Sequence, residues 1–172
     1  VSSAIELPSL AVRTEMGNAV DRSNLPSAAA GDATGGFHEE GGIYGLDASG
    51  TQVTNPAPPG QYSDPSVQAQ AEVDVWAGET GNIREVQGTY HVHPSGTVTS
   101  AVPGGTRTSS FSQPPSAPDL QNAIDNSSPN SDYHTTGNNY VLSAGSNTVH
   151  IYNQNGVIAT FPLTQFRTIA PQ

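Results

Sequence analysis

The alternation of apolar and polar positions predicts a chain that begins with a helix. Apolar side chains recur through residues 9–20 with roughly helical spacing. They are Leu10, Val12, Met16 and Val20. An Ala/Gly/Ser-rich loop up to Gly36 follows, and the stretch GGIYGLDASG predicts a strand that ends in a turn. The first third of the chain is therefore expected to hold one amphipathic helix and one strand.

Two segments in the middle of the chain alternate with the period of a strand. AEVDVWAG, residues 71–78, places Val73 and Val75 on one face, and NIREVQGTYHVHP predicts a second strand that ends at Pro94. The segments around them are rich in Pro, Gly, Ser and Thr, which predicts exposed loops near 55–66 and 95–115.

The last third predicts a short helix and then three antiparallel strands. SAPDLQNAIDN has the character of a helix, and the strands that follow turn at AGSN and at NQNG, whose Asn-Gly step favours tight hairpins. We expect a mixed α/β (α+β) fold with an antiparallel-rich sheet flanked by helices. Its 172 residues suit one domain, here residues 9–172 behind a tail of residues 1–8.

Composition removes several classes of function. The net charge of −10, from 15 acidic and five basic residues, disfavours a nucleic-acid partner. The longest apolar runs are too short to cross a membrane, so a membrane partner is not expected. Cysteine is absent, so a zinc site would need nitrogen and oxygen ligands. Lysine is absent as well. The chain starts at Val1 rather than Met, which we interpret as a fragment or a processed product of a larger protein.

The stretch GTYHVHPSG carries the first candidate chemistry. On a strand, His91 and His93 share one face while Tyr90 and Val92 share the other. Two imidazoles at this spacing can hold one metal ion, or they can be ordinary polar residues of a half-exposed strand. A zinc hydrolase also needs a third ligand, and Asp119 on the short helix is a candidate.

Three short motifs together resemble a known pattern. Glu, then His-x-His-Pro, then Ser-x-x-Asp, is the signature of the JAB/MPN metalloprotease superfamily, also called JAMM. Here these pieces are Glu39, HVHP at 91–94 and SAPD at 116–119. More narrowly, EEGGIYG, GTYHVHP and NYVLSAGSNTVHIYNQNG resemble the JAB-like domains at the ends of bacterial polymorphic and Rhs-type toxins. The resemblance covers about residues 10–166.

The resemblance implies a JAB/MPN-like, cytidine-deaminase-like domain that hydrolyses peptide or isopeptide bonds with Zn²⁺. His91, His93 and Asp119 would bind the metal, Glu39 would act as general base and then acid, and Ser116 would donate a hydrogen bond to the oxyanion. Its substrate would be a peptide or protein, including ubiquitin-like conjugates. The setting implied is the effector end of a larger bacterial protein that is secreted or injected, with a cognate immunity protein as partner.

Several readings stay open at this point. Glu40 is an alternative general base, although Glu39 fits the Glu-x-x-Gly spacing. Ser116 and Asp119 also suit a helix capping box, which is compatible with ligation. The 26 positions from His93 to Asp119 exceed the usual family spacing, so the 95–115 loop would form a lid or a substrate-selecting surface.

The remaining histidines and the tryptophan have plainer interpretations. His38 is expected to be exposed, His134 is a replacement ligand on a loop, and His150 is a structural strand residue. Trp76 is expected to pack in the core or at its rim. A catalytically silent MPN-like scaffold is the alternative function, and it predicts loss of the ligands. A cupin-like barrel is disfavoured because no acidic residue follows HVHP closely.

Overall fold

The computed structural model describes residues 5–169, which contain three helices and eight strands. In chain order they are α1 (Leu10–Ser23), β1 (Gly41–Leu46), β2 (Gln52–Pro56), β3 (Glu85–His93), β4 (Thr97–Val102), β5 (Gly105–Ser110), α2 (Ala117–Asn126), β6 (Asn139–Ser143), β7 (Thr148–Asn153), β8 (Gly156–Pro162) and α3 (Leu163–Thr168).

Six of the strands form one sheet in the order β2-β1-β3-β6-β7-β8. The central pair, β3 and β6, is parallel, and the other neighbours are antiparallel. The strands β4 and β5 pair only with each other, in a separate two-stranded hairpin. The chain therefore leaves the sheet at the end of β3 and returns to it through α2 before β6.

Helices cover both faces of this sheet. Helix α1 and helix α3 pack on one face, where the larger core includes Met16, Val92 and Phe166. Helix α2 packs on the other face through Ala123, against Val141 and Tyr152. Because side chains alternate along each strand, one face of β3 supplies the core under α1 and the other faces α2.

Helix α1 starts where its sequence predicts. Ser9 is the N-cap, and its side-chain oxygen accepts a hydrogen bond from the Val12 N–H. Arg13 is buried on this helix, and its guanidinium donates to the carbonyl oxygens of Pro8 and Phe166. These bonds join the start of α1 to α3. Ile5 and Leu7, just before the helix, also pack against the core.

The expected mixed α+β class with an antiparallel-rich sheet is confirmed, as are the helices at α1 and α2 and the strands β1, β3 and β6–β8. The predicted strand over residues 71–78 is wrong, because this segment ends in a turn and pairs with no strand among residues 5–169. The predicted loop over 95–115 is also wrong in its centre, which forms the β4–β5 hairpin. The sequence patterns missed β2 and α3. Within residues 5–169, no helix is both long and apolar enough to cross a membrane.

Candidate metal centre

The two histidines of HVHP lie at the end of β3, where the strand meets the α2 side of the sheet. His91 and His93 point to that side, while Tyr90 and Val92 belong to the core under α1. The predicted sharing of faces is thus confirmed. Both imidazoles are nonetheless buried, with 7 % and 5 % of their surface exposed, which is unlike a half-exposed polar pair.

Glu39 is brought beside the histidines by the segment that precedes β1. Gly41 pairs with His91, and a Cβ on Gly41 would lie only 2.9 Å from the His91 Cβ. Glycine at this position therefore lets the segment approach β3 closely. Glu39 itself is 4 % exposed, and its Oε1 lies 3.9 Å from His93 Nε2.

Glu40 is engaged elsewhere, away from the two histidines. Its Oε1 lies 3.2 Å from His38 Nε2, and its Oε2 lies 3.5 Å from Arg22 Nε. His38 Nδ1 lies 2.6 Å from Asp32 Oδ2. His38 is fully buried, so its expected exposure is wrong: the two carboxylates together replace the solvent that a buried imidazole loses.

Asp119 and Ser116 form a capping box at the start of α2. The Asp119 N–H donates to Ser116 Oγ at 3.2 Å, and the Ser116 N–H donates to Asp119 Oδ2 at 2.8 Å. The same carboxylate reaches the histidines, with Oδ1 3.3 Å from His91 Nε2 and Oδ2 3.5 Å from His93 Nε2. The cap thereby fixes Asp119 in place against both imidazoles.

The donor atoms are spaced as the ligands of one small cation would be. Glu39, His91 and His93 form a buried group that can hold a metal ion, and Asp119 borders it. The two Nε2 atoms are 3.2 Å apart. Ligands of a tetrahedral zinc ion, with bonds of about 2.0–2.1 Å, lie about 3.3 Å from one another. The distance between the two histidine nitrogens matches that edge length. Each nitrogen lies 3.3 or 3.5 Å from a different oxygen of the Asp119 carboxylate, whereas Glu39 Oε1 is 3.9 Å from His93 Nε2.

The hydrogen bonding of His93 also fits a metal ligand. Its Nδ1 lies 3.0 Å from the main-chain oxygen of Gln113, which can only accept, so this nitrogen carries the proton. The lone pair of the neutral ring is then on Nε2, directed at His91, Asp119 and Glu39. A second hydrogen bond of this kind accompanies most histidine ligands.

Burial and charge shift the pKa values of the three ionisable groups around the histidines. Burial, helped by the charges of Asp119 and Glu72, raises the pKa of Glu39 to about 8 against the opposing effect of His91. Burial by itself lowers the pKa of His91, but the hydrogen bond and charge of Asp119 raise it to about 9. Despite its own burial, Asp119 has a pKa well below its usual range because of the adjacent His91. The shifts of His91 and Asp119 favour a protonated imidazole beside an ionised carboxylate in the metal-free site.

The group lies at the bottom of a cleft of about 440 Å³. One wall is the 70–76 segment, which contributes Glu72 and Asp74, and the other is α2 with the loop that follows it. Trp76 is half-buried and Tyr133 is exposed, and the two rings meet at the rim of the cleft with centroids 5.0 Å apart. The residues that line the cleft include four carboxylates, and neither lysine nor arginine is among them.

The structure brings together all five residues that the sequence motifs singled out. Glu39, His91, His93, Ser116 and Asp119 line the same cleft. His134 is not among its lining residues, and its Nδ1 instead lies 3.1 Å from the Asn126 carbonyl oxygen.

Three further residues near the site escaped sequence reasoning. They are Gln113, Ser143 and His150. His150 lies in a strand, as expected, but its hydrogen bond to Ser143 was not predicted. Gln113 acts through its main chain, which no side-chain motif can reveal. Only the fold brings Ser143 next to Gln113.

Comparison of the chain with protein-family models finds no match, and comparisons with curated proteins and with solved structures find none either. The functional assignment therefore depends on the residues of the cleft and on their geometry.

Proposed function

We propose that this chain is a zinc-dependent hydrolase of peptide or isopeptide bonds, of the JAB/MPN (JAMM) type. The observation that carries the proposal is the set of distances among His91, His93 and Asp119. The two Nε2 atoms are 3.2 Å apart, and each lies 3.3–3.5 Å from one oxygen of the Asp119 carboxylate, so the three side chains can surround one zinc ion and leave a position for solvent or substrate. Such an open position distinguishes catalytic from structural zinc sites.

His91, His93 and Asp119 would hold the ion. When bound, Zn²⁺ would act as a Lewis acid that polarises the scissile carbonyl and lowers the pKa of a water molecule to about 7. Burial of both imidazoles keeps competing solvent away from their nitrogens, and the capping box keeps the carboxylate oriented. The positions of the three side chains are thus fixed by the fold before the ion binds.

Glu39 suits the role of general base and then general acid. Its carboxyl is buried next to the ligands without being the nearest donor to either histidine. Its pKa of about 8 lies near neutral pH, and an adjacent divalent cation would favour the ionised form, which can take a proton from the attacking water and give it to the leaving amine. Glu40, bound to His38 and Arg22, is not placed for this transfer.

Ser116 suits the stabilisation of the oxyanion. Its oxygen accepts the bond from the Asp119 N–H, so the hydroxyl proton is free for an acceptor in the cleft. A donor placed where negative charge develops commonly contributes about 10²–10³-fold to turnover.

The surrounding wall supports a peptide-like substrate with neutral or basic side chains. Glu72 and Asp74 place negative charge along one side of the cleft, and the rim offers two aromatic rings. The effector role in a larger bacterial protein belongs to the same proposal, because it rests on the same motifs. The alternative of a silent scaffold requires that the cleft bind no metal.

The test compares zinc content and hydrolysis in the parent and in two glutamate variants. We expect about one zinc per chain in the parent and in Glu39→Gln, with hydrolysis of peptide and isopeptide substrates lost only in Glu39→Gln. Glu40→Gln is the matched control and should retain both properties. Loss of zinc from Glu39→Gln would make Glu39 a ligand and refute its role as base. A parent that binds no zinc would refute the proposal and favour the scaffold.

A further inference from the structure

The hydrogen bonds behind His93 form a chain that continues to two residues outside the motifs. We propose that Ser143 and His150 are positioning residues, which hold the Gln113 carbonyl so that His93 presents its Nε2 lone pair to the metal. This inference rests on the proposed function, and it adds residues that the Glu, His-x-His and Ser-x-x-Asp motifs do not contain.

The carbonyl oxygen of Gln113 receives two hydrogen bonds. His93 Nδ1 donates at 3.0 Å, and Ser143 Oγ donates at 2.5 Å. Ser143 is fully buried at the end of β6, the strand that pairs in parallel with β3. The two donors lie on different strands, His93 on β3 and Ser143 on β6. Together they restrict the position of the carbonyl oxygen more than one donor would.

The chain continues from Ser143 to His150 on β7. Ser143 Oγ lies 3.1 Å from His150 Nδ1. Because the single hydroxyl proton of Ser143 points to the Gln113 carbonyl, the oxygen accepts from an Nδ1–H of His150. His150 thereby orients the hydroxyl that in turn orients the carbonyl. The direction of every bond in the chain follows from one fact, that a carbonyl oxygen only accepts.

The side chain of Gln113 makes further hydrogen bonds that hold this residue in place. Its Nε2 donates to the carbonyl oxygens of Pro94 and Phe111, and its Oε1 accepts from the Gly145 N–H at 2.8 Å. Gln113 is thus joined to the end of β3 and to the turn between β6 and β7.

The consequence for His93 is a choice of tautomer. A neutral imidazole without a partner at Nδ1 can carry its proton on Nε2, and such a ring has no lone pair directed at the metal position. A fixed acceptor at Nδ1 removes that state, so no free energy is lost on selecting the binding-competent form. Second-layer hydrogen bonds of this kind commonly change metal affinity about 10–100-fold.

The experiment compares the parent with Ser143→Ala and, as a matched control, Ser127→Ala. Ser127 also donates to a main-chain carbonyl, that of Ile124 at 2.7 Å, but at the far end of α2. Zinc dissociation constants from competition with a chromogenic chelator should rise about 10-fold in Ser143→Ala and less than 2-fold in Ser127→Ala. His150→Phe should produce a smaller rise of about 3-fold, because it removes a bond one step farther away.

A second readout does not depend on metal binding. Imidazole ¹⁵N chemical shifts of the metal-free parent at pH 8 should show His93 protonated on Nδ1, and Ser143→Ala should gain the Nε2-protonated form. A parent with His93 protonated on Nε2, or an unchanged zinc affinity in Ser143→Ala, would overturn the inference. If no variant binds zinc, the proposed function fails, while the ¹⁵N shifts still decide whether Ser143 orients His93.

Discussion

Zinc binding should release protons, because two groups of the metal centre are protonated near neutral pH in the metal-free protein. His91 must lose its proton to offer a lone pair, and its pKa is about 9. Glu39 has a pKa of about 8, and an adjacent divalent cation favours its ionised form. The perturbation is therefore the addition of the metal itself, and the observable is the number of protons that leave.

The two pKa values fix the size of the effect. At pH 7, His91 is about 99 % protonated and Glu39 about 90 %, so binding releases between one and two protons. Because a proton leaves as the metal enters, affinity increases with pH. Below pH 8 the association constant should rise about 10- to 100-fold per pH unit, and above about pH 10 it should level off because both groups are then deprotonated.

Isothermal titration calorimetry in buffers with different enthalpies of ionisation counts these protons directly. At pH 7 the parent should release about one proton more than Glu39→Gln, whose side chain cannot ionise. At pH 9.5 the contribution of His91 should fall to about 0.2. A heat of binding that does not depend on the buffer at pH 7 would refute the reasoning, because His91 would then be neutral before the metal arrives.

Three further outcomes follow from the cleft and the core. Ser116→Ala removes the N-cap acceptor of α2 and the proposed oxyanion donor, so urea unfolding should show a loss of about 1 kcal/mol and turnover should fall about 10²-fold. Met16→Ala, in the core on the opposite face of the sheet, should cost about 3 kcal/mol in the same assay while zinc affinity stays within about 2-fold. Peptides with arginine beside the scissile bond should be cleaved about 5- to 10-fold faster than those with glutamate, and Glu72→Lys with Asp74→Lys should reverse that order; equal rates at low salt would contradict the role of the acidic wall.

The sequence predicted the candidate site better than its surroundings, because the site depends on local patterns. The alternation along β3 put His91 and His93 on one face, and Ser-x-x-Asp placed Asp119 in the first turn of a helix. Each of these relations spans four residues or fewer, so backbone geometry alone decides it. What remained for the fold was to bring three short segments together, those that carry Glu39, HVHP and SAPD.

The predictions that failed depended on partners far away in the sequence. Residues 71–78 alternate because one side of the segment is half-buried along the cleft, yet strand pairing needs a neighbour that the fold does not provide. The hairpin of β4 and β5 was missed because Ser, Thr and Gly suggested a loop, although Thr and Val favour strands. Gly104, with φ of +86°, makes the tight turn between them. No sequence pattern indicated that His38 is buried, because its partner Asp32 lies in an irregular segment whose fold the local pattern does not predict.

The hairpin formed by β4 and β5 enters and leaves the domain at a single point. The side-chain amide of Gln113 donates hydrogen bonds to the carbonyl oxygen of Pro94, before the hairpin, and to that of Phe111, after it. Both ends of the hairpin are therefore held by one residue. Lengthening a connection whose ends are already held costs little free energy, about 0.6 kcal/mol for each doubling. We therefore expect residues 97–110 to be replaceable by a longer hairpin, a recognition loop or a reporter peptide while His93 keeps its position.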